Sequence, residues 1–307
     1  MDLFDTLRVV ALPTTTNFRG ITVREVALIQ GEYGWGEFSP FLEYDDIESA
    51  PWLACAIEAA THPKPQLYRT HVAVNGTIPA LNNPADLERI IDSFPEVKTF
   101  KVKVGTNVSE DLYRLDVVRT LRPWAAIRID VNGLWSVDEA EMFINSAGDI
   151  EYVEQPCATI EELSELKKRV DVKIVGDEIL RKAKDPFAID LAGAVDYLML
   201  KVQPLGGIKR AHKIAEHHNL PVVVSSALES AVGINYGLTL AASFEEMNFD
   251  CGLGTGSLLA KNVGELPIVD GKIAISEVIP NLDGLDVSAD RFEWWKNRIM
   301  RTAELLQ

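Results

Sequence analysis

Cysteine is scarce in this chain. Cys55, Cys157 and Cys251 are odd in number and far apart. They form neither a disulfide framework nor a zinc-ligand spacing, so the expected compartment is a reducing cytosol. Basic residues are also outnumbered, 30 Lys and Arg against 46 Asp and Glu, for a formal charge of −16. Nucleic acids and anionic membranes both require a basic face, and this balance argues against either partner. An anionic small molecule must then be drawn in by a local cationic site. No stretch approaches the ~18 apolar residues of a membrane span. The opening MDLFDTLRVVALP lacks the basic start and long apolar core of a secretory signal, so a cytoplasmic protein is expected. No low-complexity segment interrupts the chain. What is present, 47% hydrophobic and 25% charged residues over 307 positions, suits one large domain or one large and one small.

Residues 1–69 read as strand-rich and then helical. LRVVALP, ITVREVALIQG and YGWGEFSP predict a small antiparallel sheet, with turns at Phe18-Arg19-Gly20 and at Gly31. DIESAPWLACAIEAA predicts a helix with Asp46 as N-cap and a Trp/Leu/Ile stripe at helical spacing. From residue 70 the texture changes to short apolar strands alternating with amphipathic segments. The strands are HVAVNG, TFKVKVG, AAIRIDVNG, YVEQP, KIVGDE, YLMLKVQ, PVVVSS and the region FDCGLGTG. Eight strands with intervening helices predict an α/β fold, a parallel sheet closed into a TIM-type (β/α) barrel. An open doubly wound sheet is the structural rival, but no GxGxxG follows the first strand. The expected division is an α+β cap over 1–69, a barrel over 70–264, and a segment over 265–307 that returns to the cap.

FKVKVG, residues 100–105, poses a question of its own. On a strand, Lys101 and Lys103 point one way, while Phe100, Val102 and Val104 face the other side. One reading is an edge strand whose lysines block aggregation. The other follows from the C-terminal strand ends, where a barrel places its chemistry. There stand Lys103, Asp130, Glu154, Asp177 and Lys201, at intervals of 27, 24, 23 and 24 residues. Each interval is about one βα unit, so consecutive strands bring one charged group each to a common rim. Three carboxylates there raise one another's pKa unless a cation neutralises them. A hard dication such as Mg²⁺ takes oxygen ligands and leaves room for water or substrate. With both lysines charged, such a site is net positive and suits a carboxylate substrate. Taken singly, an acidic residue at a strand end is a helix cap or a solvated loop residue; five in phase point to a shared site.

The succession Lys-x-Lys, DVNGLW, EQP, GDE and a lone strand lysine resembles the enolase superfamily, specifically its muconate-lactonizing subgroup. The resemblance runs from the N-terminal sheet through the eighth strand. It implies a modified (β/α)8 barrel of (β/α)7β type under an α+β capping domain. Within the subgroup, TNFRGITVRE, GWGEFSPFLEY, VSSALESAVG and CGLGTGSLL look most like the actinobacterial-type o-succinylbenzoate synthases of menaquinone biosynthesis. That likeness implies Asp130, Glu154 and Asp177 as ligands of Mg²⁺, with Mn²⁺ as an alternative. It implies Lys103 and Lys201 as catalytic groups on opposite sides of the substrate, with Lys101 and Asn132 in support. The implied reaction is a dehydration that removes a proton next to a carboxylate, so the base must be neutral. An ordinary lysine is neutral in roughly one molecule in 2,500 at pH 7, and neighbouring cations, Lys101 among them, push Lys103 toward neutrality.

Further candidates for substrate contact are weaker. Gly252, Leu253, Gly254 and Thr255 of GLGTG form either a plain turn or an N–H cradle for a second carboxylate. Ser225 and Ser226 end the seventh strand as donors or as turn formers. Arg19 is a candidate lid contact. His217-His218 read as solvated, Trp294 and Trp295 as packing of the last helix, and GWGEFSP as a lid hinge or a hairpin end. Rival activities on the same site are N-acylamino acid racemase, dipeptide epimerase and muconate cycloisomerase; a remote one is a non-catalytic metal-binding barrel. Dipeptide epimerases typically carry Asp-x-Asp where this chain has GLGTG. GDEI departs from the more usual Asp-Glu-Ser. The expected partner is a small dicarboxylate substrate, and the expected assembly a monomer or weak homo-oligomer.

Overall fold

A computed structural model of the protein describes residues 3–105 and 107–306. Strands β1 (Arg8–Phe18) and β2 (Ile21–Gly31) pair antiparallel, and β2 pairs with β3 (Gly34–Phe38). The β1–β2 turn is made by Arg19 and Gly20 at positive φ, 53° and 82°. Both faces of this sheet are apolar. Val9, Ala27, Ile29 and Phe38 pack with Trp52, Leu53, Ala56 and Ala60 of helix α1 (Asp46–Thr61). Val10, Leu12, Val26 and Leu28 face the other way and join the main core. Gly36 permits the close approach of β3 to α1, since a Cβ there would lie 2.0 Å from the Ala56 carbonyl oxygen. The N-cap of α1 is Asp45, not Asp46: Asp45 accepts from the Glu48 N–H, and Asp46 instead pairs with Arg301 at 2.8 Å.

After β4 (His71–Ala73) comes the parallel sheet: β5 (Gly76–Ile78), β6 (Thr99–Lys103), β7 (Ala126–Asp130), β8 (Tyr152–Glu154), β9 (Lys173–Gly176), β10 (Tyr197–Lys201) and β11 (Val222–Ser225). Its strands are ordered sequentially, and runs such as YLMLK and VVVS are apolar on both faces, as strands buried on both sides must be. The connecting helices are α2 (Pro84–Asp92), α3 (Val108–Leu121), α4 (Val137–Ser146), α5 (Ile160–Leu166), the single turn α6 (Glu178–Arg181), α7 (Ile208–His218) and α8 (Ala231–Ser243).

Two expected strands differ from the sequence reading. FDCGLGTG contributes parallel bridges, Cys251 to Val74 and Gly252 to Ser225, in place of a full eighth strand. The chain approaches so closely there that a Cβ on Gly252 would lie 2.3 Å from Ser225 Oγ, and a 3-10 turn follows over Gly254–Leu258. HVAVNG divides: β4 pairs antiparallel with β13 (Lys272–Ala274), itself joined to β12 (Ile268–Val269), Val74 bridges to Cys251, and pairing with β6 begins at Gly76. The α/β barrel with a separate antiparallel cap is otherwise as expected.

Helix α9 (Ala289–Glu304) lies along α1. Arg298 donates to the Phe41 and Tyr44 carbonyls at 3.0 and 2.7 Å, and Trp295 meets Phe38 edge-on at 5.9 Å. Trp295 is fully buried, whereas Trp294 is partly exposed beneath Arg291. No described helix is long and apolar enough to cross a membrane.

Candidate active site

Strand β6 lies between β5 and β7, so FKVKVG is not an edge strand. Phe100 and Val102 are buried in the main core, and both lysines point to the carboxylates. Lys103, Asp130 and Glu154 occupy the same register level on β6, β7 and β8. Lys103 Nζ donates to Asp130 Oδ2 and to Asn132 Oδ1, both at 2.6 Å. Lys101 Nζ stands 3.1 Å from Glu154 and 3.2 Å from Asp130. Lys201, at the end of β10, is 2.6 Å from Asp177. Strands β7, β8 and β9 separate β6 from β10, so Lys103 and Lys201 approach the rim from opposite sides.

Loop residues hold these groups in place. Asn132 adopts φ 55° and donates through Nδ2 to Glu178, which turns its Oδ1 toward Lys103. Gln155 of EQP has φ 40°, and its Oε1 accepts from the Asp177 and Ile179 N–H groups. Arg181, one helical turn beyond Asp177, contacts both Asp177 oxygens at 3.1 and 3.2 Å, Glu178 at 2.6 Å and the Tyr44 hydroxyl at 3.1 Å. This last contact ties the cap to the strand-end carboxylate.

The electrostatics follow from burial and proximity. Burial lowers the Lys103 pKa, and Lys101 pushes the same way against the pull of Asp130. Burial thus outweighs the neighbouring cations as the cause. Lys101 is opposed by burial too, but Glu154 and Asp130 hold its pKa well above the ordinary lysine value. Asp130 and Asp177 are held well below the carboxylate range despite burial, Asp130 by Lys103 and Lys101 and Asp177 by Arg181 and Lys201. Glu154 is pushed up to about 7 by burial and by Asp130, with Asp177 adding to it.

Cationic side chains stand between the three carboxylates, and among the described residues no cluster of three His, Cys, Asp or Glu is gathered as a ready ligand set. Two observations nevertheless fit a divalent cation. Asp130 Oδ1 is buried with no hydrogen-bond partner. Glu154, fully buried and acceptor-only when ionised, carries a charge that its surroundings oppose. An all-oxygen donor set of this kind suits a hard divalent ion.

A narrow cavity of about 30 Å³ lies over these groups. Of the sequence candidates, Arg19, Lys101, Lys103, Asp130, Asn132, Lys201, Ser225, Ser226, Gly252 and Thr255 line it. Glu154 and Asp177 are 0% exposed and sit behind the lysines. Leu253 and Gly254 are not on the wall: Leu253 packs in the core, and Gly254 faces the Asn75 carbonyl and Phe94. The expected N–H cradle is reduced, because the Gly252 N–H is taken up by the Val224 carbonyl. Ser226 Oγ reaches the Gly252 carbonyl at 2.6 Å and Thr255 Oγ1 at 2.8 Å. The cap contributes Phe18, Arg19, Phe41 and Trp52, with Arg19 stacked 4.6 Å from the Phe41 ring centroid. His218 contacts the Pro186 carbonyl, and His217 meets the Phe187 ring, both far along α7 from the rim.

Sequence reasoning missed Phe18, Phe41, Trp52, Thr77, Arg181, Pro204 and Ala227 as lining residues. Only Arg181 had a signal, its four-residue spacing from Asp177.

Behind Ala227 on the cavity wall, Glu229 is 1% exposed and accepts from the Ala227 N–H at 2.6 Å. Burial and the nearby Glu37 push its pKa from 4.5 up to about 7, against Arg24 and backbone N–H groups. A carboxyl that binds its proton more tightly when folded costs stability once charged. The cost is absent below the ordinary value and complete above about 7. Glu229→Gln keeps an acceptor for Ala227 and removes the charge. It is expected to stabilise the fold at pH 8 by up to about 3 kcal/mol and to be neutral at pH 4. Denaturant unfolding at both pH values checks this; an equal effect at both would rule out the buried charge as its cause.

Fold and site together define a capped (β/α) barrel whose consecutive strands deliver lysines and carboxylates to one rim, the architecture of the enolase superfamily. Residues 9–60 match the family model "Enolase N-terminal domain-like" and residues 87–291 match "Enolase C-terminal domain-like". The chain is 47% identical to the o-succinylbenzoate synthase of Mycobacterium marinum, over 99% of this chain and 95% of that one. It is 46% identical to that of Mycolicibacterium smegmatis, over 97% and 95%. Among solved structures, the L-Ala-D/L-Glu epimerase from Bacillus subtilis superposes with a TM-score of 0.74 at 23% identity, over 92% of this chain and 98% of that one. Muconate lactonizing enzyme from Pseudomonas fluorescens gives 0.72 at 20% identity, over 94% and 97%. At such identities the two structures speak to fold alone. The chain belongs to the enolase superfamily and, within it, to the o-succinylbenzoate synthase family.

Proposed function

We propose that this chain is a carbon–oxygen lyase, an o-succinylbenzoate synthase. It would dehydrate 2-succinyl-6-hydroxy-2,4-cyclohexadiene-1-carboxylate to o-succinylbenzoate, supplying menaquinone biosynthesis in the cytoplasm. The observation that carries the reading is the opposed pair Lys103 and Lys201 at a rim of buried carboxylates, in a chain 47% identical to an o-succinylbenzoate synthase over nearly its whole length.

The chemical problem is removal of a proton next to a carboxylate, which builds a second negative charge on the substrate. Lys103 serves as the base, since burial and Lys101 lower its pKa. Asp130 and Asn132 orient its Nζ. In a syn elimination the same ammonium then returns a proton to the departing hydroxyl on that face. Lys201, across the site and 2.6 Å from Asp177, remains positive and stabilises the developing charge. Asp130, Glu154 and Asp177 would hold Mg²⁺, with Mn²⁺ as an alternative, and the ion supplies Lewis-acid stabilisation of the substrate carboxylate. Arg19, Ser226 and Thr255 line the remaining wall, where the succinyl carboxylate would bind, and Phe18, Phe41 and Trp52 exclude water from above.

N-acylamino acid racemisation is the nearest rival, because opposed lysines permit proton transfer on both faces. The deciding experiment assays the purified chain on the cyclohexadiene acid beside a panel of N-acylamino acids. Turnover of the first is expected; turnover of the second set alone would overturn the reading.

A further inference from the structure

The segment GWGEFSP carries a carboxylate that the proposed reaction leaves unused. Glu37, on β3 of the cap, is 3% exposed. Its Oε1 accepts from Ser39 Oγ at 2.6 Å, Gln203 Nε2 at 3.3 Å and the Ser230 N–H at 3.3 Å. Its Oε2 accepts from Ser230 Oγ and from the Gly233 N–H at 2.9 Å. A buried carboxylate is tolerated only when donors surround it, and this one has five.

The donors come from informative places. Ser230 is the N-cap of α8 and Gly233 lies in its first turn, so a carboxylate from the cap sits at the positive end of a barrel helix. Gln203 follows Lys201 by two residues and Ser230 follows Ser226 by four. Glu37 therefore joins the turn after β10 to the N-terminus of α8. Gly233 leaves room for this joint, since a Cβ there would lie 2.8 Å from Gln203 Nε2.

The cap does the same for the preceding helix. Helix α7 has no side-chain cap of its own at Gly207, and Glu58 of α1 accepts from the Ile208 N–H at 2.6 Å. Arg24 of β2 adds a third tie, donating to the Ser39 and Leu228 carbonyls. A hairpin end or hinge requires none of these contacts.

We infer that Glu37 is a positioning residue for Lys201: through Gln203 it holds the turn that leaves β10 at Lys201, and through Ser230 and Gly233 it anchors that turn and the start of α8 to the cap. The inference rests on the reading in which Lys201 acts on the substrate. Glu37 touches no reacting atom; its effect passes through Gln203.

The test uses the full chain with Glu37→Gln, which must turn an amide N–H₂ toward one set of donors, and Gln203→Met, which leaves Glu37 on α8. Each is expected to lower kcat by about 10²-fold with KM within about threefold, as a misplaced group does. The double variant should fall no further than the worse single one, because both act along one path. A purely structural role predicts instead a lower Tm with full kcat in the folded fraction, and that result overturns the inference. So does a multiplicative double variant. Should Glu37→Gln fail to fold, unchanged kcat in Gln203→Met is enough to overturn it. Wild-type turnover of the cyclohexadiene acid, measured first, tests the proposed function separately, and the variants are compared on whichever substrate wild type converts. A crystal structure of Gln203→Met without added divalent ion gives a reading independent of activity. Lys201 Nζ is expected to leave its 2.6 Å contact with Asp177, and an unmoved Lys201 overturns the inference.

Discussion

Lys103→Ala is expected to lower kcat on the cyclohexadiene acid by roughly 10²–10⁴-fold, the range that a positioned general base supplies. The more discriminating variant is Lys103→Arg. A guanidinium can keep the ion pair with Asp130 and remain positive beside Lys101, but it cannot give up its proton in a protein. If Lys103 acts only as a charge that steadies Asp130, Arg restores most of the activity. If Lys103 is the base, Arg is as inactive as Ala, and a small primary amine added to the Ala variant recovers turnover while Arg stays silent. Burial lowers the pKa of Lys103, whereas Glu154 and Asp130 raise that of Lys101, so the pKa values of the two lysines of one motif are shifted in opposite directions. Lys101→Met removes a like charge next to the base, and it should shift the acid limb of the kcat/KM profile to higher pH rather than abolish activity. Wild-type-like kcat in Lys103→Arg would end the assignment of this residue as base.

Much of this site was legible because strand periodicity is simple. Side chains two apart share a face, and one βα unit separates neighbouring strand ends. Lys103, Asp130 and Glu154 therefore fall at one register level, as their spacing implied. The edge-strand reading of FKVKVG was open only because flanking strands are invisible to a local pattern; β5 and β7 close that option. Arg181 escaped because α6 is a single turn, too short to display apolar periodicity, although its spacing from Asp177 is helical. Phe41 and Trp52 reach the cavity by tertiary packing of the cap, which no spacing encodes. GLGTG misled for a related reason. Glycine leaves the backbone free to bind an anion or to close a barrel, and here the Gly252 N–H closes the barrel against Val224. HVAVNG reads as one strand because its apolar content is continuous, while its partners change from β13 to β6 within six residues.

Divalent-ion binding should appear as stability before it appears as activity. Asp130 Oδ1 is buried without a partner, and Glu154 is buried between Asp130 and Asp177, which oppose its charge. An ion at this rim competes with Lys101 and Lys201 for carboxylate oxygens, but brings two charges where each ammonium brings one. Anything that binds only the folded chain stabilises it, by about 2.7 kcal/mol when present at 100 times its Kd. Thermal unfolding of wild type is therefore expected to shift upward with Mg²⁺ or Mn²⁺, and a chelator should reverse the shift while lowering turnover by about 10²–10³-fold. Glu154→Gln separates the two consequences. It removes one ligand charge and also removes the charge that burial opposes, so without ion the variant should be at least as stable as wild type. Its unfolding should no longer respond to the ion. The lost response to the ion is the part of this pattern that is not expected of a carboxylate serving only as a salt-bridge partner for Lys101. An unfolding curve of wild type that ignores both ions, or a Glu154→Gln curve that follows them as wild type does, would remove Glu154 from the ion's ligand set.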